Sequence, residues 1–466
     1  MNIEKIHFIG IKGVGMAALA IYAKEKGYQV TGSDTKDSFV TDQALAKAGI
    51  TVSSFDEKNI KDKPDLVVVS AAYGKDNVEV KEAHKKKLDI KPYSEVLSSF
   101  SQDSQVIAVG GIHGKTTTTA LISFLLTKAN LDPSFIIGSG EVPNLPSSGH
   151  LGKGDYFVLE ADEYRKSPED NNSKFFDLNP QIEIITSIEM DHPDVFLTDE
   201  KVYEAFYKFA CRIPRKGFIV LCIDYPKAKK LLRSLVDRNF ETYGFSDNAL
   251  WQIIDYEESV DFTSFSILHS GTKLGPFKLK IPGVGNVLNA TAATITALNL
   301  GVEEKMIKKY LQEFAGVKRR FEKIGQVSDV VLIDDYAHHP HSITLTLEAA
   351  KKRFPDSKLW CVFEPHTYSR TKELLNDFGT AFNAADKVII TNIYASAREK
   401  EVTVSGEDLV QEIRKNQKQV KYIDSREKII QELLDNVEGK AVIVTMGAGD
   451  IYKIGQDVLE GLKNEK

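Results

Sequence analysis

The chain has 466 residues with a net charge of −6, and 42% of its residues are hydrophobic, which predicts roughly two to four folded domains and excludes a disordered chain. The net negative charge does not indicate the basic surface that nucleic-acid binding requires, so no nucleic-acid partner is expected. There is no apolar signal-peptide core near the N-terminus and no apolar run of about 18 residues, so we expect no membrane partner and a cytoplasmic location.

The first block, residues 1–103, alternates strand and helix patterns. Strands are predicted for "KIHFIG", "YQVTGSD" and "DLVVVSAA", and a helix for "MAALAIYAKEKG". This alternation predicts a parallel sheet that is covered by helices. The serine-rich stretch "SSFSQDSQ", Ser98–Gln105, is predicted to be a linker.

A glycine-rich turn joins the first predicted strand to the first helix. Gly10, Gly13 and Gly15 have the spacing G-x-x-G-x-G, whereas the dinucleotide fingerprint is G-x-G-x-x-G. A phosphate group at the helix N-terminus is still expected, because the backbone N–H groups there attract anions. Asp34 ends the next strand and could bind a ribose hydroxyl, so these features fit a nucleoside diphosphate as well as they fit NAD.

A second phosphate-binding turn follows in "VGGIHGKTTTT", between a strand and a helix. The usual phosphate loop is G-x-x-x-x-G-K-[ST], and Val109 stands where its first glycine would be. The turn around Gly114 still predicts an anion site. Lys115 can reach the outer phosphates of a nucleotide, and the hydroxyl of Thr116 suits Mg²⁺.

Acidic residues follow the next two predicted strands of this block. Glu160 ends "YFVLE", and Glu189, Asp191 and His192 end "QIEIITSIEMDH". Ligands in open α/β sheets collect at the carboxyl ends of strands. We therefore expect Glu160 and His192 to face the phosphates, with the carboxylate as a ligand for Mg²⁺.

The pattern changes between residues 250 and 282, where short strands with turns predict an antiparallel patch. "NVLNATAATITALNLG" then predicts a helix that ends at Gly301. The last block, residues 317–466, alternates strands such as "VVLIDDY", "KLWCVFE" and "AVIVTM" with helices, which predicts a doubly wound α/β unit.

Polar clusters follow three of these last strands. They are Asp334 and Asp335 with "AHHP", then His366 and Arg370 in "FEPHTYSRT", and finally "GAGD". A zinc site built on the histidine pair of "AHHP" is not expected, because no third ligand lies at metal spacing. Arg370 could bind a carboxylate with two parallel hydrogen bonds, or it could form an ion pair between domains.

The three cysteines, Cys211, Cys222 and Cys361, have the spacing of neither a zinc site nor a disulfide framework. We expect them to be small core residues. The chain has no internal repeat and no low-complexity tract.

Taken together, the motifs resemble those of the Mur ligases, the ATP-dependent amide-forming enzymes of peptidoglycan synthesis. The resemblance covers nearly the whole chain and rests on "GIKGVGM", "GSD", "GIHGKTTTT", "EADEY", "EMDHPD", "NVLNA", "GVKRRFE", "DDYAHHP", "FEPHTYSRT" and "GAGD", in the family's order. It implies an α/β fold with three domains. These are a Rossmann-like UDP-sugar domain (1–103), a central P-loop ATPase-type α/β domain that binds ATP (104–316) and a C-terminal doubly wound Rossmann-like domain that binds the amino acid (317–466).

The resemblance also implies ATP and Mg²⁺ as cofactors, and it assigns residues to each site. The catalytic residues would be Lys115, Glu160 and His192, and the metal ligands Thr116, Glu160 and His192. The ATP-binding residues would be Gly111, His113, Gly114, Lys115, Thr116, Thr117, Asn286, Asn289, Arg320 and Asp335. The UDP-sugar would be bound by Gly10, Gly13, Val14, Gly15, Asp34 and Ser70, and the amino acid by His339, His366 and Arg370.

Within the family, the motifs fit best the activity that joins L-alanine to the lactyl carboxylate of UDP-N-acetylmuramate through an acyl phosphate. The protein would act as a monomer or a homodimer. Thr367 departs from the arginine that many members have there. The alternative is the relative that adds a recycled murein tripeptide to the same sugar, since "RKSPEDNNSKFF" after "EADEY" is longer and more polar than expected for the alanine enzyme.

Two other functional classes remain. An oxidoreductase built on the first glycine turn would leave the Gly-Lys-Thr motif unexplained. A non-catalytic nucleotide-binding protein would not be expected to keep Lys115, Glu160 and His192 together.

Overall fold

Three helix-covered β-sheets follow one another along the chain. The structure is a computed structural model that describes residues 3–395, 399 and 402–464. Each sheet alternates strands with helices, which confirms the predicted α/β fold class with three successive units. The outermost residues of the predicted first and third domains, 1–2 and 465–466, lie outside the described residues.

The first unit is a five-stranded parallel sheet. Its elements are β1 (Lys5–Ile9), α1 (Val14–Glu25), β2 (Gln29–Asp34), α2 (Asp42–Lys47), β3 (Thr51–Ser54), β4 (Leu66–Val69), α3 (Val78–Lys85), β5 (Asp89–Pro92) and α4 (Tyr93–Ser101). The strand order is β3-β2-β1-β4-β5. Phe8 of β1 belongs to one hydrophobic cluster and Ile9 to another, so both faces of the central strand are buried, as expected for a parallel sheet.

The middle unit is the largest. Its elements are β6 (Gln105–Gly110), α5 (Lys115–Lys128), β7 (Ser134–Ile136), β8 (Gly149–His150), β9 (Tyr156–Glu160), β10 (Arg165–Ser167), β11 (Asp170–Ser173), β12 (Ile182–Ile185), α6 (Asp199–Ala210), β13 (Phe218–Cys222), α7 (Pro226–Ser234), β14 (Asn239–Gly244), β15 (Trp251–Glu258), β16 (Thr263–His269), β17 (Thr272–Leu279), α8 (Val284–Asn299) and α9 (Glu304–Leu311).

Ten of these strands form one sheet in the order β17-β16-β15-β14-β13-β12-β6-β9-β7-β8, while β10 and β11 form a separate hairpin. β15, β16 and β17 pair antiparallel, which confirms the antiparallel patch predicted for residues 250–282. The predicted helix before Gly301 is also present, as α8.

The third unit is a six-stranded sheet. Its elements are β18 (Glu322–Val327), β19 (Val330–Asp335), α10 (Pro340–Arg353), β20 (Lys358–Phe363), α11 (Tyr368–Glu373), α12 (Leu375–Ala381), β21 (Lys387–Ile390), α13 (Gly406–Ile413), β22 (Val420–Tyr422), α14 (Arg426–Asn436), β23 (Ala441–Met446) and α15 (Tyr452–Asn464). The strand order is β18-β19-β23-β20-β21-β22, and only β18 is antiparallel to its neighbour among the described strands.

The predicted linker Ser98–Gln105 is wrong. Ser98 to Ser101 form the last turn of α4 and Gln105 begins β6, so residues 102–104 alone connect the two units. The Ser101 hydroxyl donates to the Ser98 carbonyl at 3.1 Å, and the Ser98 hydroxyl donates to the Asp177 carbonyl of the middle unit at 2.6 Å. The serines therefore dock the helix end on the middle unit, whereas their composition indicated a free linker.

The structure differs from the predicted strands in two places. The strand predicted over "QIEIITSIEMDH" ends at Ile185, because the Thr186 hydroxyl turns to the carbonyls of Gly110 and His113 in the phosphate turn. The acidic residues predicted at the strand end therefore lie in the loop that follows. The edge strand β18 had no predicted counterpart, since its sequence "EKIGQV" is half exposed and does not alternate clearly.

None of the described helices is long and apolar enough to cross a membrane. Cys222 and Cys361 are buried core residues as predicted, whereas Cys211 is partly exposed.

A buried carboxylate stabilises the first unit. Glu79 of α3 is fully buried and accepts hydrogen bonds from the backbone of Asp56 at 3.0 Å and from Asn59 at 2.6 Å. It also contacts the Ser33 hydroxyl and lies 3.2 Å from His7 Nε2. Burial raises the pKa of Glu79, but these hydrogen bonds outweigh burial and hold the pKa below its ordinary value.

We expect Glu79→Ala to lower the free energy of unfolding by about 3 kcal/mol or more, because it leaves several buried donors without their acceptor. Urea unfolding measures this loss. Glu82→Ala on the same helix is the control and should cost about 1 kcal/mol or less, since Glu82 forms ion pairs with Lys85 and Lys86, and the Lys85 side chain is 79% exposed.

The same hydrogen-bond network makes the stability of the fold depend on pH. Because the folded-state pKa of Glu79 lies below its ordinary value of 4.5, the carboxylate stabilises the fold above that pH and ceases to do so as the pH falls through the folded-state pKa. The stability difference between wild type and Glu79→Gln should therefore shrink on acidification, and a difference that grows would contradict this assignment.

Candidate active site

A large cleft lies where the three units meet. Its volume is about 1110 Å³, larger than the roughly 300–1,000 Å³ typical of a pocket for one small ligand. The turns after β1, β6, β9, β12, β19, β20 and β23 all contribute to it, so the carboxyl ends of strands from all three sheets face one space. The cleft therefore has room for more than one substrate.

Most of the predicted site residues line this cleft. They are Gly13, Val14, Gly15, Ser70, His113, Gly114, Lys115, Thr116, Glu160, His192, Arg320, His339, His366 and Arg370. The predicted residues that do not line it are Gly10, Asp34, Gly111, Thr117, Asn286, Asn289 and Asp335.

The phosphate turn is packed tightly against the elements beneath it. A Cβ at Gly111 would lie 2.1 Å from Thr186 Oγ1, and a Cβ at Gly114 would lie 2.2 Å from Asn289 Oδ1. Both glycines also have positive φ, at 126° and 80°. Positions 111 and 114 therefore exclude side chains for steric and for conformational reasons.

Lys115 begins α5 and is held by a buried carboxylate. Its Nζ lies 2.9 and 3.1 Å from the two oxygens of Glu163 and 2.5 Å from the Gly111 carbonyl. Burial lowers the pKa of Lys115, but the negative charges of Glu163, Asp162 and Glu160 outweigh burial and raise it above the ordinary value. Lys115 is therefore a fixed positive charge at the phosphate turn.

Sequence reasoning missed Glu163. This residue is 1% exposed, and its Oε1 also lies 3.4 Å from His192 Nε2, so it touches two predicted catalytic residues. The available signal was the second glutamate of "EADEY" in a strand-end motif already assigned to the site.

Two of the three residues predicted to bind magnesium, Glu160 and Thr116, offer oxygen ligands of the kind that ion prefers. Burial raises the pKa of the Glu160 carboxyl, and the Gly138 N–H at 2.6 Å with the positive charges of Lys115 and Arg320 only partly offsets it. Arg320 Nη2 is 3.3 Å from Thr116 Oγ1. A divalent cation beside Glu160 and Thr116 would stabilise the charged carboxylate.

Among the described residues, no cluster of three or more His, Cys, Asp or Glu side chains could hold a metal by itself. This agrees with the usual environment of Mg²⁺, which is bound by one or two carboxylates together with substrate phosphates and water.

At the opposite end of the cleft, Gly13 precedes the first turn of α1, and Ser70 lies nearby. Asp34 is buried below this turn. It accepts hydrogen bonds from the N–H groups of Lys12 and Thr35, both at 2.8 Å, and from the Tyr73 hydroxyl at 3.1 Å. Asp34 thus holds the glycine turn in place, and a contact to ribose stays a prediction.

Asn286 and Asn289 lie at the start of α8, under the phosphate turn. Asn286 Nδ2 donates to the Pro282 carbonyl at 2.7 Å, and Asn289 Oδ1 accepts from the Thr118 hydroxyl at 3.2 Å. The predicted adenine contacts therefore stay predictions. Asp335 binds the N–H groups of Phe321 and Ala337, and burial raises its pKa to about 6.

The predicted amino-acid residues lie where the third unit contacts the middle unit. Arg370 is 3% exposed, its Nε donates to Asp191 Oδ1 at 2.7 Å, and its Nη1 is 3.1 Å from His366 Nδ1. Burial raises the pKa of Asp191, but Arg370 and two histidines outweigh burial and hold the pKa well below its ordinary value. Arg370 therefore forms the ion pair between units that the sequence left open, at the wall of the cleft.

Thr367, which departs from the family pattern, precedes α11 with φ 69° and ψ 140°. Such a backbone conformation is strained for a β-branched residue, and strain of this kind is concentrated at functional sites.

Three domain models of one protein family match the three units of the chain. The "Mur ligase family, catalytic domain" matches residues 5–105, the "Mur ligase middle domain" matches 109–297, and the "Mur ligase, glutamate ligase domain" matches 319–449.

Similar proteins extend over the full length. A UDP-N-acetylmuramate–L-alanine ligase from Caldanaerobacter subterraneus subsp. tengcongensis is 41% identical over 461 residues, which cover 98% of this chain and 97% of the relative. The solved structure of a UDP-N-acetylmuramate–alanine ligase from Thermotoga maritima is 26% identical with a TM-score of 0.84, and it covers 99% of this chain and 100% of that one. A murein peptide ligase from Psychrobacter arcticus 273-4 is 27% identical with a TM-score of 0.75, covering 99% of both chains.

The domain matches and the full-length relatives agree with the geometry of the cleft, which is lined by two glycine turns and a set of basic side chains. This chain belongs to the Mur ligase family.

Proposed function

We propose that the chain joins L-alanine to the lactyl carboxylate of UDP-N-acetylmuramate at the expense of ATP, in the synthesis of peptidoglycan precursors. The observation that carries this function is the shared cleft. A glycine turn suited to a diphosphate, a phosphate turn with Lys115, and Arg370 with His366 face a single cavity of about 1110 Å³. The activity of the relative that is 41% identical over 98% of the chain supports the same substrates.

One alternative keeps a specific observation in its favour. The polar stretch after "EADEY" forms the hairpin of β10 and β11, and a murein peptide ligase shares the fold with a TM-score of 0.75. The alanine ligase from Thermotoga maritima has the higher TM-score, 0.84, so the peptide-adding activity ranks second.

In the proposed reaction, a lactyl carboxylate oxygen attacks the γ-phosphorus of ATP, and ADP leaves. The amine nitrogen of L-alanine then attacks the acyl phosphate carbon, phosphate leaves, and the nitrogen loses a proton. Lys115 lies at the phosphate turn with its charge fixed by Glu163, and Arg320 reaches the same turn from the third unit. Fixed positive groups in a site of low dielectric stabilise the charge that develops on the transferred phosphoryl group.

Thr116, Glu160 and His192 would hold Mg²⁺ in this reaction. When bound, the ion neutralises charge on the phosphate oxygens. His192 lies beside Glu163 and beside the ring of Tyr164, with 4.7 Å between ring centroids, so neighbouring side chains orient its imidazole.

An acyl phosphate must be protected from water until the amine attacks. The third unit closes the cleft through Arg370 and Asp191, and through His339 Nε2, which lies 3.0 Å from the Met190 carbonyl.

A cytoplasmic location and a monomeric or homodimeric state remain predictions.

A panel of amine substrates tests the function. With UDP-N-acetylmuramate and MgATP, we expect phosphate release and a ligated product of the expected mass with L-alanine, and a lower kcat/KM with glycine, L-serine and the tripeptide. Reactions without the UDP-sugar are the control. If the tripeptide outcompetes L-alanine, the peptide-adding activity replaces our proposal, and tight NADH binding without ligation would indicate an oxidoreductase.

Lys115→Ala should abolish ligation and leave binding of the UDP-sugar nearly unchanged, because the lysine lies at the phosphate turn and not at the first glycine turn. Ligation assays and calorimetric titration with UDP-N-acetylmuramate measure the two effects. Lys128→Ala, at the far end of α5, is the matched control and should retain activity. Turnover of the Lys115 variant near the wild-type rate would remove the lysine from the mechanism.

Arg370→Lys should raise the KM for L-alanine about tenfold or more and change the KM for ATP little. Lysine keeps the charge but cannot donate two parallel hydrogen bonds to a carboxylate. Steady-state kinetics with each substrate varied in turn measures both constants. Asp191→Asn separates the two roles of the arginine. If Arg370 serves only the ion pair, both variants lose stability alike and neither changes alanine affinity selectively.

A further inference from the structure

His113, in the phosphate turn, points its side chain at the third unit. Its Nδ1 is 3.0 Å from the Ser342 hydroxyl, in the first turn of α10. Its Nε2 is 2.9 Å from Glu189 Oε2, although the pair lacks the alignment of a hydrogen bond. Both ring nitrogens therefore face protein groups, one on each side of the boundary between the units.

Two histidines at the start of α10 pack on the same ring, His339 just before the helix and His341 in its first turn. His341 stacks on His113 with 5.3 Å between centroids and 15° between planes, and His339 lies 4.7 Å away. His341 Nδ1 is also 3.5 Å from Glu189 Oε1. His113 and Glu189 of the middle unit thus form one continuous contact with the start of α10.

The backbone of His113 is fixed independently of its side chain. The His113 N–H donates to the Ser187 hydroxyl at 2.9 Å, and its carbonyl contacts the Thr186 hydroxyl. The turn is therefore anchored to the loop after β12, and the ring projects from a rigid base. Because the turn carries the ring, the contact of the ring with α10 depends on the position of the phosphate turn.

The contact continues to the amino-acid end of the cleft. The loop that carries Glu189 also supplies the Met190 carbonyl to His339 and the Asp191 carboxylate to Arg370. Three successive residues of the middle unit thus meet three side chains of the third unit, so the position of α10 on the phosphate turn and the position of Arg370 in the cleft are linked.

We propose that His113 is a positioning residue through which the third unit closes on the phosphate turn, so that an occupied nucleotide site favours the arrangement of the amino-acid site. Its role is then contact with Ser342 and Glu189, whereas the sequence assigned it to ATP binding. The inference rests on the proposed function for its kinetic readouts, and on the contacts between units for its structural readout.

A double-mutant cycle across the two units tests this role, with His113→Asn, Ser342→Ala and the combined variant. We expect each single substitution to raise the KM for L-alanine about fivefold or more, with less than about a threefold change in the KM for ATP. The combined variant should be no worse than the poorer single variant, because both remove the same contact. Thermal unfolding shows that each variant is folded.

The matched control is Thr344→Ala on α10. The Thr344 hydroxyl donates within the third unit, to the Pro340 carbonyl at 3.2 Å, so its loss should leave both constants unchanged. His113→Gln supplies a conservative variant whose amide can still hydrogen-bond to Ser342, and it should restore part of the alanine affinity.

Small-angle scattering of the full chain with a non-hydrolysable ATP analogue and Mg²⁺ measures closure directly. The wild type and Thr344→Ala should become more compact with the analogue, and His113→Asn and Ser342→Ala should compact less. If wild type fails to ligate L-alanine, the proposed function falls while the scattering result still decides the role of His113. The inference would be overturned if the two substitutions had additive effects on the KM for ATP alone and if the variants became as compact as the wild type with the analogue. His113 would then be assigned to nucleotide binding.

Discussion

The absence of a Cβ at positions 111 and 114 is the constraint on which the site depends, because it lets the phosphate turn lie directly on the loop after β12 and on α8. With the turn in this place, Lys115 and Thr116 begin α5 at the wall of the cleft. His113 is carried out toward the third unit by the same backbone. A side chain at either glycine would displace the phosphate-binding groups and the contact between units together.

The second feature of the site is the dense packing of buried charge around that turn. Lys115 is balanced by Glu163, and Arg370 by Asp191, so the charges most important to the proposed chemistry are paired with carboxylates of the protein itself. Removing one partner of a buried pair leaves an uncompensated charge at a cost of about 3–5 kcal/mol. Glu160 is the exception, since burial raises its pKa. A divalent cation would supply the compensation that the protein leaves out.

The division into three units bears on how substrates would enter the cleft and how the proposed intermediate would be kept from water. Each unit brings the carboxyl ends of its strands to the shared cleft, and contacts between side chains, not a continuous sheet, hold the third unit in place. Interfaces of this kind between units of one chain are compatible with relative motion. In the proposed reaction, such motion would let substrates enter, and closing of the third unit would shield an acyl phosphate from water.

The sequence predicted the fold class and most strands and helices, because strand–helix alternation and glycine turns are local patterns. The sequence prediction was wrong where side chains form contacts that the local composition does not indicate. The serines of Ser98–Gln105 cap and dock a helix, and β18 is a half-exposed edge strand without a clear period. Asp34 was predicted to contact a ribose because it ends a strand. Its carboxylate accepts a hydrogen bond from the Lys12 N–H of the glycine turn, and the ribose contact stays a prediction.

Sequence alone was enough to identify the family, the order of the units and the two glycine turns, since each is contained in a short run of residues. The pairing of charged groups became visible only in the folded chain. Glu163 and Lys115 are 48 residues apart in the chain, Asp191 and Arg370 are 179 apart, and His113 and Ser342 are 229 apart. Such pairs depend on how sheets and units pack against one another, and no local spacing of residues encodes that packing.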